Sequence, residues 1–250
     1  MNLQYEQEFE VGFELVDYTL NLKLNGLCTF MQTVANKHAS LLGLNYYQNA
    51  DNSEEENSYY WILSKAKYVV DKYPKWEEMV QLRTFPRGRH RLAAMRGFDI
   101  INNGEKCGYI IGEYLLMDAR RQRPVKIQGR TDALAVIDFP YEGEVIEKLK
   151  PEGQLQKTDI RKPYYTEIDL NNHMNNAFYI NWATDMLDLE IHDKYEIAEF
   201  QINYNKGIQY GQSIKVSLYY NSLDEDMYVT GDSEEEGKNY FTVKMRLRHK

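Results

Sequence analysis

Residues 165–182 read Tyr165-Thr166-Glu167-Ile168-Asp169-Leu170-Asn171-Asn172-His173-Met174-Asn175-Asn176-Ala177-Phe178-Tyr179-Ile180-Asn181-Trp182. The stretch changes period in its middle. Phe178, Trp182 and Met186 recur at i, i+4 and i+8, one face of a helix, and Asn175 or Asn176 stands where a helix N-cap belongs. A helix is therefore expected from about Asn176 to Leu187, entered from a strand end at Ile168-Asp169 through an asparagine-rich loop. The first half of the chain has a counterpart: a strand end at Val16-Asp17, an asparagine-containing loop, and a helix over Asn25 to Leu42. There Leu27, Met31, Val34, His38 and Leu41 are spaced by three or four, Asn25 is placed to cap and Gly43 to terminate.

Around these helices the chain alternates with the two-residue period of strands at 81–85, 96–101, 107–117, 199–204, 213–220 and 240–247, with turns such as Asn102-Asn103-Gly104 between them. The 21 tyrosines favour such a sheet, because flat aromatic side chains suit a pleated surface. The segments before the later strands also correspond, Tyr73-Pro74-Lys75-Trp76-Glu77-Glu78-Met79 in one half and Gln209 to Ile214 in the other. A repeat of roughly 150 residues is a duplicated domain, since solenoid periods run from 20 to 50. The pattern predicts an α+β tandem (double) hotdog, each half an antiparallel sheet around one long helix. Its expected parts are an N-terminal hotdog over 1–140, a polar linker over 141–160 and a C-terminal hotdog over 161–250. Asp51 to Glu56 and Asp224 to Glu236 read as acidic loops.

Composition bounds the function. With 30 Lys plus Arg against 38 Asp plus Glu in 250 residues, the net charge of −8 argues against a nucleic-acid partner, which requires an excess of cations on one face. Apolar runs of a few residues fall short of the roughly 20 that span a bilayer. The acidic N-terminus lacks the apolar core of a signal peptide. Cys28 and Cys107 form no C-x-x-C pair, so a reducing, cytoplasmic location is expected, and no Cys or His cluster has the spacing of a metal site. No cofactor and no metal are expected.

Asp169, Asn171 and His173 lie at i, i+2 and i+4, so an extended backbone would send all three to one side just before a helix N-terminus. A carboxylate and an imidazole can serve as base and orienting partner, and a carboxamide can hold a water or a carbonyl. Backbone N–H groups around Asn175 to Ala177 can face an oxyanion. The plainer reading is that these are turn and cap residues. Against it stands the first-half turn, Asp17 to Asn25, which needs the same geometry but carries no histidine and reads without polar alternation.

The chain resembles the acyl-acyl-carrier-protein thioesterases, tandem-hotdog enzymes, here of bacterial type. In the first half the likeness rests on residues 36–44, 60–65, 73–76, 85–88 and 116–125. In the second it rests on Asp169-x-Asn171-x-His173-x-Asn175-Asn176 followed by Tyr179, Asn181 and Trp182. The resemblance implies hydrolysis of fatty acyl thioesters on acyl carrier protein, with Asp169, Asn171 and His173 as the catalytic group and an acyl pocket in the N-terminal hotdog. Either His173 or a tuned carboxylate can be the base. Plant members carry a Glu-Cys pair in the strand after this helix, where this chain has Gly207 and Ile208, so a covalent cysteine route is unsupported. Carrier proteins are acidic, which makes Arg120, Arg121 and Arg123, with Lys126 and the group Arg87, Arg89, His90 and Arg91, candidates for binding the substrate's carrier. His38 reads as a satisfied histidine near the core. An acyl-CoA thioesterase and a non-catalytic acyl-thioester sensor remain as alternatives, and a monomer or a homodimer both fit. Cys107→Ser is expected to leave turnover essentially unchanged, checked by fatty-acid release; a folded but inactive variant would overturn the metal-free, cysteine-free reading.

Overall fold

The computed structural model describes residues 3–44, 59–127, 137–234 and 237–250. The chain divides into two compact units. The second comprises Glu147–Lys250 with Leu24–Cys28 and Lys67–Asp71, and the first holds the remainder. The first unit is built on β1 (Tyr5–Glu10), β2 (Tyr59–Val70), β3 (Met79–His90), β4 (Ala93–Asn102), β5 (Glu105–Asp118) and β6 (Arg123–Pro124). Its strands run in the order β1-β3-β4-β5-β2, with β6 folded back on β5. The pairings of β1 with β3, β3 with β4 and β4 with β5 are antiparallel. Asn103 and Gly104 both take positive φ, 52° and 79°, the two-residue hairpin turn that Asn-Gly favours.

Helix α1 (Leu24–Leu41) carries the apolar face that its periodicity predicts. Leu27, Met31 and Val34 are fully buried and His38 nearly so. Phe30 stacks on Phe9 of β1 at 4.2 Å. Two details differ from expectation. Asn25 lies inside the first turn, and the cap position is Lys23, whose backbone N–H is already donated to Leu15. Leu41 is exposed, because the chain leaves the helix at Leu42, which is buried in its place.

The second unit contains β7 (Gln154–Arg161), β8 (Tyr195–Tyr204), β9 (Ile214–Asn221), β10 (Asp226–Ser233) and β11 (Asn239–His249), in the order β8-β11-β10-β9-β7. Its helix α2 (Asn176–Thr184) is capped by Asn175, whose side chain accepts the Ala177 N–H at 2.9 Å. It is shorter than its pattern predicts. The Thr184 hydroxyl donates back to the Ile180 carbonyl, and a short helix α3 (Leu189–Lys194) follows. Tyr179 of α2 meets Tyr204 of β8 and Phe241 of β11 edge-on, both at 5.3 Å. Each unit thus sets one long or medium helix on an antiparallel sheet, and the fold is the tandem hotdog.

Two segments read as loops are strands. The expected linker 141–160 ends in β7, which pairs with β9 although almost every residue of it is exposed. Asp226 to Ser233, within the expected acidic loop, is β10. It is held between β9 and β11, with Asp226 almost fully buried and paired to Lys244 and Arg246. Neutralised by two neighbours on β11, that carboxylate no longer opposes burial. Asp51 to Glu56 lies outside the described residues.

The first unit also buries an ion pair. Lys65 of β2 donates to Glu113 of β5 at 3.1 Å and to the Ile146 carbonyl at 3.0 Å, and Ser64 donates to the same carboxylate. Lys65→Met is expected to strand the buried Glu113 charge and lower unfolding stability by about 3 kcal/mol, measured by urea titration.

Candidate functional site

The loop preceding α2 is built by one carboxylate. Asp169 Oδ1 accepts the backbone N–H of Asn171 at 2.8 Å and that of His173 at 3.4 Å, while Oδ2 accepts from the Asn171 carboxamide at 3.3 Å. The Asp169 N–H donates to the His173 carbonyl, closing the turn, and Asn172 adopts a left-handed φ of 60°. The expected extended strand is therefore wrong. Asp169, Asn171 and His173 are gathered by a turn around the carboxylate, because a short Asp side chain competes successfully for local N–H groups.

The first-half turn has the same architecture, which corrects the contrast drawn from sequence. Asp17 Oδ1 accepts from the N–H groups of Thr19 at 2.8 Å and Asn21 at 3.2 Å, and Leu20 takes a φ of 66°. Asp17 N–H donates to the Asn21 carbonyl. Bridges Val16 to Leu22 and Ile168 to Met174 close the two loops, and Leu22 N–H reaches Pro74 as Met174 N–H reaches Ile208, each at 2.8 Å. Polar alternation is present there after all, as Asp17, Thr19 and Asn21. The aspartate is common to both turns and serves their geometry. What sets the second turn apart is Asn171, His173 and the capping Asn175.

Position 207 sets it apart as well. By the matched bonds to Pro74 and Ile208, Gly207 corresponds to Tyr73 of the first unit. A Cβ on Gly207 would lie 2.6 Å from His173 Cδ2 and 2.9 Å from Cγ, so the half-buried imidazole rests against glycine backbone. Sequence reasoning registered Gly207 as the absence of a glutamate and missed its role as a seat; a lone glycine after Lys206 gives no signal of a distant ring. Beneath the seat, Tyr179 Oη accepts the Ile208 N–H at 3.0 Å. Burial pushes this hydroxyl far above the usual tyrosine range, with the Asp169 carboxylate adding to the shift, so it stays protonated.

Of the amides expected to face an oxyanion, two are spent. Asn175 N–H goes to the Glu167 carbonyl and Ala177 N–H to its own cap. Among the described residues, the Asn176 N–H at the helix start is the one of the three without a protein acceptor, and it carries the positive end of the α2 dipole. Glu167 braces this end: one carboxylate oxygen accepts from Trp182 Nε1 at 3.0 Å, the other from the Tyr164 N–H at 2.7 Å.

Arg120, Arg121 and Arg123 sit exposed at the β5 to β6 turn of the first unit. Asp118 organises that turn, accepting the backbone N–H groups of Arg121 and Arg120; the Arg121 bond, more than the other, holds the carboxyl below its usual range. Arg121 reaches Asp118 only at 4.0 Å, so the three guanidiniums project largely into solvent. Arg89, by contrast, is tied to Asp138 at 2.8 Å and Arg87 lies over the Tyr141 ring. Cys28 and Cys107 are both buried. Among the described residues, no three His, Cys, Asp or Glu side chains are placed to hold a metal ion, and no helix is long and apolar enough to cross a membrane.

Comparison with known proteins gives a consistent picture. Residues 2–134 match the family model for the acyl-ACP thioesterase N-terminal domain, and residues 150–248 that for the C-terminal domain. Oleoyl-acyl carrier protein thioesterase 1, chloroplastic, of Arabidopsis thaliana is 24% identical over 83% of this chain and 61% of its own length. The Coriandrum sativum oleoyl-acyl carrier protein thioesterase is 23% identical over 91% and 65%. This chain therefore spans about three fifths of the length of these plant relatives. Among solved structures, an acyl-ACP thioesterase from Bacteroides thetaiotaomicron superposes with a TM-score of 0.83 at 23% identity, covering 99% of this chain and 98% of that one. The 12:0-ACP thioesterase from Umbellularia californica gives 0.86 at 16% identity over 100% and 99%. These two likenesses establish the fold.

Gly207→Ala is expected to push the imidazole off its seat. The ring resonances of His173 should shift in an NMR spectrum while the melting temperature moves by no more than a few degrees. Unshifted resonances would show that the ring does not rest there.

Proposed function

The chain belongs to the acyl-ACP thioesterase family, and on that premise we propose that it hydrolyses the thioester of a fatty acyl chain carried on acyl carrier protein, with no metal in the reaction. The observation that carries this reading is the divergence of two otherwise matched turns. A carboxylate-centred loop is kept in both, and only the second adds Asn171, His173 seated on Gly207, and a side-chain cap, Asn175, at the start of α2.

In the proposed step, His173 takes a proton from a water that Asn171 helps to position, and the water oxygen attacks the thioester carbonyl carbon. Charge that develops on the carbonyl oxygen faces the Asn176 N–H and the α2 N-terminus. When the tetrahedral intermediate collapses, the C–S bond breaks, the sulfur takes the proton from the imidazolium, and the fatty acid leaves. Asp169 is a positioning residue in this scheme: both its oxygens are occupied in shaping the loop, as Asp17 shapes the loop that lacks histidine. Arg120, Arg121 and Arg123 supply an exposed cationic edge on a chain of net charge −8, and such an edge would steer an acidic carrier.

The test is release of fatty acid from acyl chains presented on carrier protein and on coenzyme A. Turnover that prefers the carrier is expected, and a preference for coenzyme A would move the assignment to the alternative donor. His173→Ala should lower kcat by about 100-fold to 10000-fold with the melting temperature unchanged. Asp169→Asn keeps an oxygen acceptor for the loop and should retain activity within roughly tenfold, a loss far smaller than that of His173→Ala. Equal losses in the two variants would make Asp169 the base, and binding without any hydrolysis would sink the enzymatic reading in favour of a sensor.

A further inference from the structure

The first unit holds a partly enclosed cavity of about 220 Å3 beside the C-terminal half of α1, with Ala35, Ala39, Trp61, Met95 and Ile137 on its apolar wall. Arg96 of β4 also lines it. The cross-strand neighbours of Arg96 are Pro86 and Gly112, neither of which offers a side-chain acceptor. Its Nη1 donates to His38 Nδ1 at 2.9 Å and to Thr84 Oγ1 at 3.2 Å. A guanidinium cannot accept, so His38 Nδ1 is the acceptor, and the neutral ring carries its proton on Nε2.

Both partners of this cation are uncharged. Among the described residues no carboxylate lies within ion-pair distance of Arg96, and the buried carboxylate of the neighbouring strand, Glu113, is engaged by Lys65. Burial accordingly presses the guanidinium below the usual arginine range. A guanidinium has five N–H donors, and among the described residues its two acceptors are both served by Nη1, which leaves donors on Nη2 and Nε for a ligand. The exposed Asn36, Lys37 and Ser40 and the Tyr114 ring also border the cavity, so its rim is polar and its wall apolar; a cation held against that wall without a counter-charge costs stability. An acceptor oxygen arriving with the ligand would remove that cost.

We propose that this cavity receives acyl chains that bear an oxygen function, a hydroxyl, keto or carboxyl group along the chain, and that Arg96 selects them over unsubstituted chains by donating to that oxygen. The proposal deepens the hydrolase reading by naming the substrate class, and it rests on that reading only for the chain's being an acyl thioester.

The decisive measurement is binding, read by quenching of Trp fluorescence, of decanamide against its 3-hydroxy, 3-keto and 10-hydroxy derivatives, with no turnover involved. At least one oxygenated chain is expected to bind about tenfold or more tightly than decanamide, the gain of one charge-assisted hydrogen bond. Arg96→Met should abolish that preference, so that decanamide and its oxygenated derivatives bind the variant with affinities within about threefold of one another. Equal or weaker binding of every oxygenated chain by the unaltered protein overturns the proposal whether or not the variant folds, as does a preference that survives Arg96→Met. Hydrolysis of the corresponding acyl-carrier-protein thioesters separates the two readings. A binding preference without hydrolysis leaves the substrate class standing and fells the enzymatic assignment; hydrolysis without a preference does the reverse.

Discussion

A carboxylate that accepts two backbone N–H groups from its own turn is the constraint from which the site follows. Asp169 spends Oδ1 on Asn171 and His173, so the three residues hold a fixed relation before any substrate arrives. Each such bond contributes on the order of 1 kcal/mol net, with somewhat more for an ionised acceptor. Together they stabilise a left-handed residue at position 172, where asparagine fits well. The turn then delivers the chain to the helix cap at Asn175, and that cap leaves one N–H of the first turn unspent. The geometry on which the proposed hydrolysis rests is a by-product of solving the backbone's hydrogen-bond problem at a strand-to-helix junction.

Duplication makes this argument testable inside one chain. Asp17 performs the same task 152 positions earlier, with Leu20 forced into the left-handed region that Asn172 enters more easily. Besides Thr19, which stands where Asn171 does, the two copies part at three further places that shape the site. Asn21 stands where His173 does, Lys23 offers no side-chain cap where Asn175 does, and buried Tyr73 fills the position that Gly207 leaves open. A side chain at 207 and an imidazole at 173 compete for one volume. Histidine and glycine are thus a matched pair, and the first turn has neither.

The helices were legible because their apolar residues recur at the helical period, and the central strands because theirs alternate. The strands that escaped reading share a different property. β7 is exposed along nearly its whole length, so no alternation marks it, and β10 begins with a buried aspartate whose neutralising cations lie on β11. β7 is fixed by β9, about sixty residues on, and β10 by its hairpin neighbours β9 and β11, whose cations the acidic run of β10 itself does not announce. At the site, residue identities were legible and geometry was not. Spacing at i, i+2 and i+4 suggested a strand face, whereas the carboxylate's competition for local N–H groups made a turn. The polar pattern of Asp17, Thr19 and Asn21 was visible in the sequence but acquired meaning only once its bonds matched those of Asp169.

The buried charges of the chain divide on the same physical ground. Lys65 with Glu113, and Asp226 with Lys244 and Arg246, are closed pairs whose desolvation is offset by a partner of opposite sign. Arg96 has neutral partners instead. A paired charge in a sheet is explained by the sheet. A guanidinium kept beside an apolar cavity wall with no carboxylate partner among the described residues violates the rule its neighbours obey, and such local violations concentrate where a ligand completes the structure. The carboxylate-centred turn and the Arg96 guanidinium are two forms of one principle: in the first the chain satisfies its own donors and fixes a geometry, in the second it leaves donors over, and these are what the proposed preference would use.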